Sequence, residues 1–103
     1  MNNKSTMYRF TSMVTKSESG YVIRVPPNVF MSIVFKALHN FSAARVILRV
    51  HNSTLVGKLT NTPYILLIDN VSDVENLIGK TIDVVVEKIE LPNGTVYLGN
   101  YER

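Results

Sequence analysis

The chain has 103 residues, enough for one domain with a single core, and its 46% apolar and 18% charged content is that of a globular rather than a disordered protein. It has no cysteine, which excludes a disulfide scaffold, a thiolate metal site and a cysteine nucleophile together. The net charge of +3 is unevenly placed: residues 1–60 carry eight basic side chains against Glu18 alone, a net of +7, and residues 61–103 carry three basic against seven acidic, a net of −4.

Such a split points to a polyanion-facing surface on one half or an electrostatic seam to a partner, unless the fold interleaves the halves and cancels it. The N-terminus has no apolar signal core, and no apolar run approaches the roughly 18 residues a membrane helix needs. The expectation is an intracellular protein, cytoplasmic or nuclear, with no membrane partner. The Asn-x-Ser/Thr acceptors at Asn40, Asn52, Asn70 and Asn93 are then idle.

Met1–Thr6 is polar and expected to fray. Met7–Lys16 reads as a strand with Tyr8, Phe10 and Val14 inward, and Lys16–Gly20 turns it into a second strand. In that strand Tyr21, Ile23 and Val25 alternate with Val22 and Arg24. Pro26 and Pro27 end it, because neither can donate to a ladder. Asn28 is placed as the N-cap of a helix running over Val29–Phe41. Val29, Ile33 and Ala37, with Phe30, Val34, Leu38 and Phe41 beside them, form its apolar stripe. Met31 and Phe35 lie outside that stripe. A helix apolar nearly all round is buried on more than one side, so these two residues mark a partner interface.

A loop at Phe41–Ala44 leads to the strand Arg45–Val50, with Val46, Leu48 and Val50 inward. Asn52-Ser53 turns the chain into Thr54–Thr60, where Gly57 marks a bulge or a tight barrel corner. After the break at Thr62-Pro63 the pattern returns. Tyr64–Val71 overlays Tyr21–Asn28 at an offset of 43, and Thr81–Val86 overlays Arg45–Val50 at an offset of 36. Between them Ser72–Glu75 has the form of a capping box opening a short helix, with Gly79 as its C′ residue. The strand Thr81–Leu91 ends at Pro92-Asn93-Gly94, a hairpin turn, and Thr95–Leu98 pairs back. The expected fold is a β-rich α+β single domain over 1–103: a small, double-split, pseudo-twofold β-barrel with two short helices and pseudo-repeat halves at about 21–50 and 64–86.

No catalytic constellation emerges. His39 and His51 lack metal-site spacing and read as a last-turn helix residue and a strand-end residue. Asp69, Asp73 and Glu75 cluster, but Asp73 and Glu75 sit where carboxylates favour a helix N-terminus rather than a cation. No metal ligand, cofactor or catalytic residue is assigned. The candidate site is instead a basic set, Arg24, Arg45, Arg49 and Lys58, able to contact phosphates if the sheet gathers them. The competing expectation is that these side chains pair with Asp83, Glu87 and Glu90.

Two resemblances follow from the motifs. The segment Gly20–Val29 (GYVIRVPPNV), with a helix and then Arg45–Val50 (RVILRV), resembles the strand–Pro–helix–strand unit of AbrB-type transition-state regulators, swapped-hairpin barrels that bind DNA as dimers. The whole length is also similar to the single-chain double-split barrels found beside YdeI/OmpD-associated domains. There MYRFTSMV, GYVIRVP, the Gly57-Lys58-Leu59 segment and Leu77–Val84 (LIGKTIDV) correspond in order. This chain departs from the AbrB pattern in carrying both halves in one polypeptide and a longer first helix. Tyr21–Pro27 (YVIRVPP), Ala44–His51 (ARVILRVH), Lys58–Pro63 (KLTNTP) and Lys80–Val84 (KTIDV) further resemble blocks of the N-terminal domain of the TFIID subunit that pairs with the largest TFIID subunit. The chain lacks that family's extra hairpin between His51 and Lys58 and its acidic tail.

These resemblances imply a non-catalytic binding module, DNA-binding or transcription-associated, taking DNA or another polyanion and forming a homodimer or meeting a protein partner. The alternative is a protein–protein assembly module forming a composite barrel. A third is a ligand-binding barrel.

Overall fold

The computed structural model describes residues 8–68 and 74–98. Seven strands form: β1 (Arg9–Ser17), β2 (Gly20–Arg24), β3 (Arg45–Val50), β4 (Ser53–Leu59), β5 (Tyr64–Leu67), β6 (Thr81–Leu91) and β7 (Gly94–Tyr97), with one helix, α1 (Pro27–Ala37), between β2 and β3. The strand order is β1-β2-β5-β4-β3-β6-β7, and β6 also pairs with β1, closing the first six into an antiparallel barrel. β7 adds to the far half of β6. The protein is thus the small β-rich barrel that the alternating sequence predicts. The ring order is unchanged when β1 and β4, β2 and β5, and β3 and β6 are exchanged.

Alternation sets which side chains fill the barrel. Phe10, Val14, Ile23, Val46, Leu48, Val50, Leu55, Leu59, Ile65, Leu67, Ile82, Val84, Val86 and Ile89 all point into one core. Glu18-Ser19 turns β1 into β2, as Ser17 pairs with Gly20. In β6 the inward set shifts from even to odd numbers, Val86 to Ile89, because a bulge leaves Glu87 without a partner between the Ile47–Lys88 and Leu48–Val86 pairs.

Several local expectations are corrected. Pro26, not Asn28, is the N-cap, and α1 begins at Pro27 with no side-chain cap. Proline suits the first helical position because its φ is already helical and its missing N–H would have no partner there. The α-helix stops at Ala37 rather than Phe41. Leu38 takes φ 43° and ψ −114°, and a 3-10 segment kinked at Asn40 continues over Leu38–Ala43. That turn throws Leu38 off the buried stripe, so it is 56% exposed while Val29, Phe30, Ile33 and Ala37 are buried. The β3–β4 turn is His51-Asn52, with Val50 opposite Ser53 and His51 at φ 56°, one residue earlier than expected. Gly57 is not a bulge, for the ladders on both its sides run through it unbroken. Of the second expected helix, Val74 and Glu75 are helical, and residues 69–73 lie outside those described.

Candidate functional site

The basic set is divided by the sheet. Arg45 and Lys58 are direct neighbours across β3 and β4, on an outward row that runs Val22, Leu66, Lys58, Arg45, Glu90, Thr95 from β2 to β7. Arg24 stands on the same outer face opposite Tyr64, one outward position on from Val22. Arg24, Arg45 and Lys58 are exposed, and none has an ion pair among the described residues.

Arg49 differs: its guanidinium donates to Glu87, the residue that the β6 bulge turns outward beside β3. Arg9 likewise donates to Asp83 at 3.2 Å, and Lys88 lies 3.8 Å from Glu90. Pairing of β6 with β1 and β3 therefore cancels part of the charge split between the halves. Of the four basic residues, Arg45 and Lys58 remain as an adjacent pair, and Arg24 stands apart on the same outer face.

The second surface is the outer face of α1. Met31 is 63% exposed and Phe35 72% exposed, and the turned-out Leu38 extends the pair to an i, i+4, i+7 apolar stripe. The stripe borders a shallow groove of about 590 Å³ lined also by Asn28, Ser32, Val34 and His39. The opposite side of α1 is fixed to the barrel by Val29, Phe30 and Ile33 and by a 2.7 Å hydrogen bond between the Tyr8 and Ser32 hydroxyls. Met31 and Phe35 therefore stand on a helix anchored to the barrel by its other face. The apolar pattern places Leu38 in the core, and position 38 carries neither glycine nor asparagine to signal the positive φ that moves it outward.

Of the acidic cluster, only Glu75 falls among the described residues, and it accepts a 3.0 Å hydrogen bond from the Tyr21 hydroxyl. That bond, with burial and the carboxylate charge, raises the Tyr21 pKa above its ordinary value. The contribution is full below the ordinary tyrosine pKa and is lost as pH rises through the raised one. No group of three His, Asp or Glu among the described residues is placed to hold a metal ion. No helix among them is long and apolar enough to cross a membrane. No protein-family model, curated protein or solved structure matches the chain.

Proposed function

We propose that the protein is a non-catalytic binding module that assembles through the outer face of α1, with a second copy of the chain as the partner. The observation that carries this is the exposure of Met31 and Phe35 on the outer face of α1, with Leu38 exposed just beyond its end. An antiparallel twofold centred on Phe35 brings Phe35 onto its counterpart and Met31 onto Leu38 of the other copy, so the stripe is complementary to itself. Three side chains of this size expose on the order of 350 Å². That is under half of the roughly 800 Å² per partner of a standard interface, so the dimer is weak. Met31→Glu with Phe35→Glu is expected to give a soluble monomer, while the wild type shows concentration-dependent dimerisation by light scattering at micromolar levels. A wild type that stays monomeric at high micromolar concentration, and is indistinguishable from the double variant, overturns the proposal.

A second reading is favoured by Lys58 and Arg45 side by side, with Arg24 on the same outer face: DNA or another polyanion lies along this face, in keeping with the AbrB-like pattern. Three neutralised phosphates give a slope of log K against log salt of roughly −3, with little sequence preference. Titration of a labelled duplex at two salt concentrations measures it, and Arg24→Glu with Lys58→Glu is expected to abolish the signal. Absence of binding at low salt removes this reading and leaves the assembly proposal standing.

A further inference from the structure

The barrel wall opens where β1 changes partners. Arg9–Met13 of β1 is paired to β6, whereas the register with β2 begins only at Val14. On its β2 side the Thr11–Met13 segment therefore has no ladder partner among the described residues, since β2 ends at Arg24 and Pro26-Pro27 lead the chain away into α1. The parting is a cleft of about 460 Å³ lined by Thr11, Ser12, Met13, Arg24, Pro26, Pro27 and Thr81. That volume falls within the range of small-molecule sites.

The chemistry of the lining is one-sided. Among the described residues it contains one charge, Arg24, and no carboxylate. Ser12 reaches across the opening, its hydroxyl donating to the Arg24 carbonyl at 2.7 Å, which fixes the backbone that carries the guanidinium. Thr11 and Thr81 bring two further hydroxyls, and Met13, Pro26 and Pro27 supply apolar walls. A planar guanidinium fork flanked by hydroxyl donors suits an oxyanion with several terminal oxygens. The proline and methionine walls suit a flat apolar body attached to it.

We infer that this cleft is a binding site for a small phosphate monoester carrying an apolar ring, with Arg24 gripping the phosphate. The inference goes beyond the assembly proposal and does not depend on it, since Met31, Phe35 and Leu38 are not in the lining.

Phenyl phosphate titrated into the full chain, followed by amide NMR shifts, tests it. The expected result is saturable shifts confined to Thr11–Met13, Arg24 and Thr81, with Kd on the order of 1 mM or tighter. Inorganic phosphate binds more weakly, because it forgoes the walls. Arg24→Gln weakens binding about tenfold or more, and Arg24→Lys, which keeps the charge but loses the fork, falls between. Lys58→Gln leaves the affinity unchanged, which separates the cleft from the polyanion row. Benzoate binding as tightly as phenyl phosphate overturns the inference. So do an unaltered affinity in Arg24→Gln, an equal loss in Lys58→Gln, shifts spread over all exposed cations, and the absence of saturation.

Discussion

Replacing Gly57 with alanine lowers the stability of the protein by about 3 kcal/mol, the upper part of the range for overpacking a core. Gly57 lies on the inward face of β4 between Leu55 and Leu59, and a Cβ built there falls 2.2 Å from Cγ2 of Ile65 and 3.2 Å from the Leu66 carbonyl oxygen. Neither neighbour can yield cheaply. Ile65 is fully buried, its Cγ2 is fixed on a branched Cβ, and the carbonyl belongs to the β5 backbone. A chain of this size melts roughly 15 °C lower for such a loss, which thermal unfolding by circular dichroism reads directly. Ile65→Leu removes the offending methyl at nearly constant volume. The double variant should therefore be more stable than the two single losses sum to, by about 1 kcal/mol. A Gly57→Ala protein that melts like the wild type would refute the close approach.

The second large effect is at Leu48. It is fully buried on β3, opposite Leu55 of β4 and Val86 of β6, both also without exposure. Leu48→Ala opens a cavity walled by three strands of a closed ring, which cannot slide together to fill it. The cost is expected at about 3–4 kcal/mol, measured as a shift in urea midpoint at unchanged slope. Leu38→Ala serves as the contrast. Its side chain is more than half exposed, so the monomer's stability should change by no more than about 0.5 kcal/mol. Equal losses at both positions would contradict the assignment of inside and outside.

The strands were legible because a barrel wall imposes a period of two, and Ile23, Val25, Val46, Leu48 and Val50 keep it, although Ile47 between two of them is buried as well. The parity change in β6, from Ile82, Val84 and Val86 to Ile89, was not read in the sequence, where Thr81–Leu91 passed as one regular strand. Nor was its consequence. Which cation the displaced Glu87 would meet depends on β3 lying beside β6, and that neighbour is set by ring closure rather than by local pattern. The direct pairing of Arg45 with Lys58 and the isolation of Arg24 have the same origin. The end of α1 was hidden for a different reason. Leu38 has the residue type of a buried position and the backbone of a cap, and sequence pattern reports only the first. Gly57 announced that space was short without saying whose side chain fills it.

The way the ring closes governs how the chain reaches this state. β6 lies between β1, the first strand described, and β3, and it completes both. Until residues 81–91 have left the ribosome, the edges of β1 and β3 that β6 covers have no partner to take. The nascent chain therefore cannot finish its core in the order of synthesis. It holds two unsatisfied strand edges until β6 emerges, and the closing step joins segments some seventy residues apart (Arg9 meets Val85). Non-local closure of this kind slows folding and leaves a window in which the same edges can pair with other chains.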